Sequence, residues 1–190
     1  MWHEFGDARE RVASQMTIEI ATVANNAINR RQLGELLVET VSAGGSVSFM
    51  HPLPTADAEA FWDKALAAAD LGDRIVLGAW DGGLLVGTVT LLLDFPANQP
   101  HRAEIAKMMT RVAYRGRGIA RALMDRAEKI AIEKGKSHIV LDTATEEGAA
   151  GLYRKLGYNL TGEIPNFALK PHGGLTGTLI FWKEFTRYPG

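Results

Sequence analysis

Ala113-Tyr114-Arg115-Gly116-Arg117-Gly118-Ile119-Ala120 stands near the middle of the chain. Two arginines alternate with two glycines, and an apolar helix-like run follows. Glycine gives up backbone order, and neighbouring guanidinium groups repel one another. An anion at the head of the helix would offset both costs. The first N–H groups of a helix have no partner within it, and they carry roughly half a positive charge. Glycine lacks the Cβ that would keep a phosphate away. Arg115 and Arg117 can add charge-assisted hydrogen bonds. The stretch therefore reads as a pyrophosphate cradle at a strand-to-helix turn, with a tight turn bearing solvated arginines as the alternative. Two other phosphate loops do not fit. A P-loop ends in Gly-Lys-Ser/Thr, whereas Ile119-Ala120-Arg121 follows here. A dinucleotide fingerprint needs a third glycine and a βαβ unit at the start of its sheet.

The chain around this turn changes period several times. Before it, residues 74–80 and 84–95 read as strands joined by the Asp81-Gly82-Gly83 hairpin turn. A third strand, 103–112, leads into the turn. After it, Ile119, Leu123, Ala127 and Ile130 share one face of a helix over 118–134, which Gly135 ends. An apolar strand at 138–143 and a helix at 147–156 follow, then strands at 158–169 and 175–184. At the other end, a short strand at 17–23 precedes two helices. The first is capped by Asn25 or Asn26 and the second, from Thr55 to about residue 69, by Thr55. A strand-helix-strand order at the centre requires a right-handed parallel crossover, and the hairpins around it require antiparallel pairing. The expected fold is α/β (α+β): a mixed, mostly antiparallel sheet of six to seven strands, helices on both faces, and one splayed central parallel pair.

A length of 190 residues suits one domain, expected over 16–187. Residues 1–15 carry charges of both signs without an apolar signal core and read as an N-terminal extension. A net charge of −1 gives no global attraction to nucleic acid or to an anionic membrane. No apolar stretch approaches the roughly 18 residues of a membrane span. With no cysteine there is neither a disulfide framework nor a thiolate metal site, and a cytoplasmic setting is the expectation. His3, His51, His101, His138 and His172 show no metal-ligand spacing, so no metal is expected.

Arg115-x-x-Gly118-x-Ala120, after a strand and opening a helix, resembles the (Gln/Arg)-x-x-Gly-x-(Gly/Ala) signature of the GNAT acyltransferases. Leu152-Tyr153-Arg154-Lys155-Leu156-Gly157-Tyr158 is similar to a second hallmark of that family. The stretches LLVETVSAGGSVSFM, RAEIAKMM and LDT, with the ending GEIPNFALKPHGGLTGTLIFWK, look more narrowly like the tabtoxin-resistance type. The resemblance implies acetyl-CoA as donor, with its pyrophosphate on the backbone of Arg115, Gly116, Arg117, Gly118, Ile119 and Ala120. It implies that the pantetheine arm pairs, like an extra strand, with Met108, Met109 and Thr110. It also implies that Tyr153 protonates the leaving thiolate. Val112 stands where the family usually carries Pro, a change not expected to harm phosphate binding, and Glu146 where many relatives carry Asn, which puts one CoA contact in doubt.

Acetyl transfer to an amine needs a proton acceptor, a holder for the oxyanion and a proton for the thiolate. Glu104 lies on the strand entering the turn and is the preferred base. Asp142 ends the neighbouring parallel strand, where ligands of open α/β sheets gather. It would bind the substrate ammonium or share the proton work. Surface charge and strand-end capping are the structural alternatives for the two. Tyr153 also fits a packed core position, and the N–H of Met109 is the expected oxyanion donor. The resulting expectation is an acetyl-CoA-dependent N-acetyltransferase for a small-molecule amine, monomeric or homodimeric. A peptide N-acetyltransferase and a non-catalytic acetyl-CoA-binding module remain alternatives.

Overall fold

The computed structural model describes residues 18–185 apart from Glu147, so the expected extension over 1–15 lies outside the described residues. Among the described residues there are seven strands: β1 (Glu19–Thr22), β2 (Arg74–Asp81), β3 (Leu84–Leu92), β4 (Arg102–Thr110), β5 (His138–Ala144), β6 (Asn159–Leu169) and β7 (Leu175–Glu184). They form one sheet in the order β1-β2-β3-β4-β5-β7-β6. Only β4 and β5 pair in parallel; every other neighbour is antiparallel. This is the sheet expected from the sequence.

Side-chain alternation splits the core in two, because successive residues of a strand face opposite sides. On β2, Leu77 and Ala79 face the helix α3 (Ile119–Glu133), while Val76 faces α1 (Ala27–Ser42) and α2 (Thr55–Asp70). Ile119, Leu123, Met124, Ala127, Ile130 and Ala131 make the buried stripe of α3. On the other face Leu33, Leu36 and Leu37 of α1 meet Trp62 and Leu66 of α2. Leu123 is fully buried at the centre of the larger cluster. Leu123→Ala is expected to cost about 2–5 kcal/mol of stability, read from urea unfolding. A loss below about 0.5 kcal/mol, the range of surface changes, would mean that this helix does not anchor the core.

Asn26 caps α1, its side chain accepting the Asn29 N–H at 2.9 Å. The expected Thr55 cap of α2 is not seen. Thr55 is the first helical residue and Pro54 holds the flanking position in extended backbone, a place that suits its fixed φ. The strand β3 stops at Leu92 rather than 95. A short 3-10 turn, Val112–Tyr114, separates β4 from the glycine turn. The helix α4 (Ala150–Lys155) starts later than expected, since Gly148 at φ +69° breaks any earlier helical run.

Two irregularities position the site. The β4–β5 register ends at the Ile105–Leu141 pair, so β4 from residue 106 onward has a free edge on that side. Opposite Val89, β4 carries one extra residue: Thr88 pairs with Met109 but Thr90 with Ala106. Lys107 stands in this bulge with φ +51°. Among the described residues no helix is long and apolar enough to cross a membrane.

Candidate active site

Where β4 and β5 part, a cavity of about 600 Å³ opens. Its floor is β4 from Ile105 to Thr110, and the head of α3 contributes Arg115, Gly116 and Ala120. Asp142, Leu152 and Tyr153 line the β5–α4 side, and Ser46 to Ser48 the α1 side. The residues 167–169 of β6 and 176–178 of β7 complete the wall.

The glycine turn is built open. Gly116 and Gly118 take φ of +75° and +80°, and a Cβ built on either would meet nothing within 4 Å. Positive φ, not crowding, therefore demands glycine here, and the concave backbone in front of α3 stays accessible. The first intrahelical bond of α3 runs from Ala122 N–H to Gly118 O at 3.0 Å. The earlier N–H groups of the helix are thus free for a ligand. Such a cradle fits a pyrophosphate. Arg115 lines the cavity, its Nε reaching Thr110 O at 3.5 Å. Arg117 instead lies over the Tyr114 ring, 5.0 Å from its centroid, and is not among the lining residues; neither are Gly118 and Ile119.

The turn is anchored from behind. Arg111 donates from Nη1 to Glu39 Oε2 at 2.7 Å and from Nε to Leu85 O at 2.8 Å. Glu39 Oε1 also accepts the Val112 N–H at 2.8 Å. Tyr114 donates to Asp81 Oδ2 at 3.1 Å, which raises its pKa. Sequence reasoning missed Glu39 because its partners lie 72 and 73 residues away.

Of the expected chemistry, Asp142 and Tyr153 come together at the cavity and Glu104 does not. Glu104 sits opposite Val140, inside the paired part of the two strands. Its Oε2 accepts from Arg102 Nη2 at 2.8 Å, and Arg102 in turn rests on Phe95 at 4.5 Å. Asp142 lies beyond the last β4–β5 pair, and its Oδ2 accepts from Thr178 Oγ1 at 2.9 Å. Tyr153 is 4% exposed, with its ring 5.9 Å from Phe181 and 6.0 Å from Tyr158. It is both packed in the core and open to the cavity. Glu146, at the position where relatives carry Asn, bonds Lys170 Nζ at 3.1 Å.

The free edge of β4 offers an N–H at every second residue. Arg111 turns its N–H to Val86 O of β3 at 2.9 Å. Alternation turns that of Met109 the same way, so the expected Met109 oxyanion donor faces the sheet. Thr110, and Met108 on the same alternation, face the opening. An extended ligand arm can add there as another strand.

Lys107 is a cavity residue that sequence reasoning passed over. Its Nζ donates to Ser48 Oγ at 3.0 Å and stands 5.8 and 5.7 Å from the ring centroids of Phe49 and Phe61. Burial lowers its pKa, and the Asp142 charge works against that shift. Its positive φ leaves no trace in the sequence, since lysine rarely adopts it.

Two segments that line the cavity are tied together nearby in the chain. The N–H of His51 bonds Pro171 O at 2.9 Å, and His172 Nε2 lies 3.1 Å from Ser42 O. The two imidazole rings stand 4.4 Å apart. The loop after α1 is thereby tied to the β6–β7 turn.

The family model described as "Acetyltransferase (GNAT) family" matches residues 44–158, and the chain belongs to that family. N-acetyltransferase 8B of Homo sapiens is 37% identical over 81 residues, covering 42% of this chain and 36% of that protein. N-alpha-acetyltransferase MAK3 of Arabidopsis thaliana is 36% identical over 106 residues, covering 55% of each. The chain thus spans only about a third to a half of these relatives. A putative acetyltransferase from Salmonella typhimurium, solved with its cofactor acetyl-CoA, shares the fold: TM-score 0.72, 17% identity, covering 91% of this chain and 96% of that one.

Proposed function

We propose that the chain moves an acetyl group from acetyl-CoA to the primary amine of a small molecule. The carrying observation is the open, positive-φ glycine turn, which through Arg115, Gly116 and Ala120 lines one cavity with Asp142, Tyr153 and the free edge of β4. Family membership and the acetyl-CoA named for the Salmonella structure support the same donor. Acetyl-CoA, when bound, supplies an activated thioester. The backbone from Arg115 to Ala120 holds its pyrophosphate, and Thr110 and Met108 pair with its arm through their N–H groups. Asp142 binds the incoming ammonium and takes its proton, directly or through water, so that the nitrogen lone pair can form the new C–N bond. The same N–H groups hold the charge that develops on the acetyl oxygen. As the C–S bond breaks, the Tyr153 hydroxyl gives its proton to the sulfur; the second proton of the attacking nitrogen restores the tyrosine, and the one on Asp142 passes to water.

Residues 46–48 and 167–169, on two sides of the cavity, belong to segments that are tied together at His51 and residues 171–172. That supports a small amine over a long peptide, and with it the likeness to the tabtoxin-resistance type. The relative named an N-alpha-acetyltransferase supports the peptide reading instead. An acceptor screen that scores CoA thiol release with small amines against peptide N-termini decides between them.

The cradle is tested by Gly118→Asp. A carboxylate facing the pyrophosphate, on a backbone at φ +80°, is expected to weaken acetyl-CoA binding by at least about 10- to 100-fold. Calorimetry measures the affinity and a thermal melt checks the fold. Unchanged affinity in a folded variant would remove the cradle assignment.

A further inference from the structure

Lys107 and Asp142 line the same cavity and feel each other's charge without forming an ion pair. Among the described residues no carboxylate comes within 4.0 Å of Lys107 Nζ, and no lysine, arginine or histidine nitrogen within 4.0 Å of the Asp142 carboxylate. Among the described residues, the Asp142 carboxylate accepts a hydrogen bond from the Thr178 hydroxyl. The Lys107 ammonium has three donors and spends one on Ser48. The rings of Phe49 and Phe61 back it at the outer edge of cation–π range. A cation and an anion that line one cavity without pairing are complementary to a ligand bearing both charges.

The backbone shows that this placement is imposed. Three described non-glycine residues have positive φ: Ser48 at +73°, Lys107 at +51° and Asn166 at +54°. Two of them, Ser48 and Lys107, are hydrogen-bonded to each other at the cavity. Such conformations are strained and gather at ligand-binding places. The bulge aims Lys107 where a regular strand would not.

We propose that Lys107 and Asp142 form a two-point site, so that the preferred acceptor is a primary amine that also carries a carboxylate. Asp142 takes the ammonium and Lys107, held by Ser48, takes the carboxylate through its remaining N–H donors. The site thereby turns the amine toward the free edge of β4, where the acetyl group arrives. Lys107 is a specificity residue that takes no part in the proton transfers. This inference rests on the amine-acetyltransferase reading above.

The test uses the full chain saturated with acetyl-CoA. CoA thiol release is followed with a panel of α-, β- and γ-amino acids and with the matching carboxamides. For the best acid in the wild type, kcat/KM is expected to exceed that of its amide by about 10- to 100-fold, the worth of a charge-assisted hydrogen bond. In Lys107→Met the acid-over-amide ratio is expected to fall by the same factor, mainly through KM for the acid. Lys107→Arg is expected to restore much of the ratio, which a purely structural role would not predict. Thermal melts and acetyl-CoA calorimetry on each variant show that fold and donor site persist. Equal use of acid and amide by the wild type would overturn the inference. So would a ratio unmoved in Lys107→Met, or acetylation confined to amines without a carboxylate. Each of these leaves the acetyltransferase reading standing. A wild type that neither binds acetyl-CoA nor releases thiol with any amine would overturn both.

Discussion

Asp142→Asn is expected to lower kcat/KM for the amine by about 10²–10⁴-fold, the usual worth of a positioned base, with acetyl-CoA affinity unchanged. The amide keeps the shape and can still accept from Thr178 Oγ1, now 2.9 Å from Oδ2, but it cannot take a proton. Glu104→Gln supplies the contrast. Its carboxylate is held by Arg102 at 2.8 Å and does not line the cavity. Its effect on turnover is expected to stay within about threefold, in line with loss of a partly exposed ion pair. Steady-state kinetics on both variants, with donor calorimetry, separates the two carboxylates. If Glu104→Gln suffers the large loss and Asp142→Asn does not, the base has been assigned to the wrong strand.

Tyr153→Phe is expected to lower kcat by about 10²–10⁴-fold while KM for acetyl-CoA changes little. The ring would keep its contacts with Phe181 and Tyr158, so the fold should persist. Only the proton donor for the departing sulfur is lost. A near-normal kcat would make Tyr153 a core residue alone. A fall in melting temperature without a kinetic effect would say the same.

What could be read from the sequence follows the range of the interactions involved. Periodicity and turn residues act over a few positions. They located α3, the hairpin at Asp81-Gly82-Gly83 and the pairing of β6 with β7 within about two residues. Asp142 could be placed because the end of a parallel strand is a local property with a known consequence. Glu104 falls outside the cavity for a geometric reason. A strand can be seen in the sequence, but the residue at which two strands part cannot, and here they part after Ile105 and Leu141. The Met109 N–H depended on which edge of β4 is free, which is again a matter of pairing. Lys107 and Ser48 lay hidden because positive φ at a non-glycine residue is imposed by the surrounding fold.

The extra residue in β4 also bears on how this chain tolerates heritable change. A pleated strand has two phases, and removing one residue swaps them for everything that follows. The side chains of Ala103 and Ile105 must face the core on one side of the bulge, and the backbone of Met108 and Thr110 must face the opening on the other. The bulge at Lys107 lets one continuous strand meet both demands. A deletion of Lys107 would therefore set the core and the donor edge out of phase, so that only one could be correct. Substitutions at the same codon change a single side chain. Among natural variants, codon loss at this point should be far rarer than codon exchange.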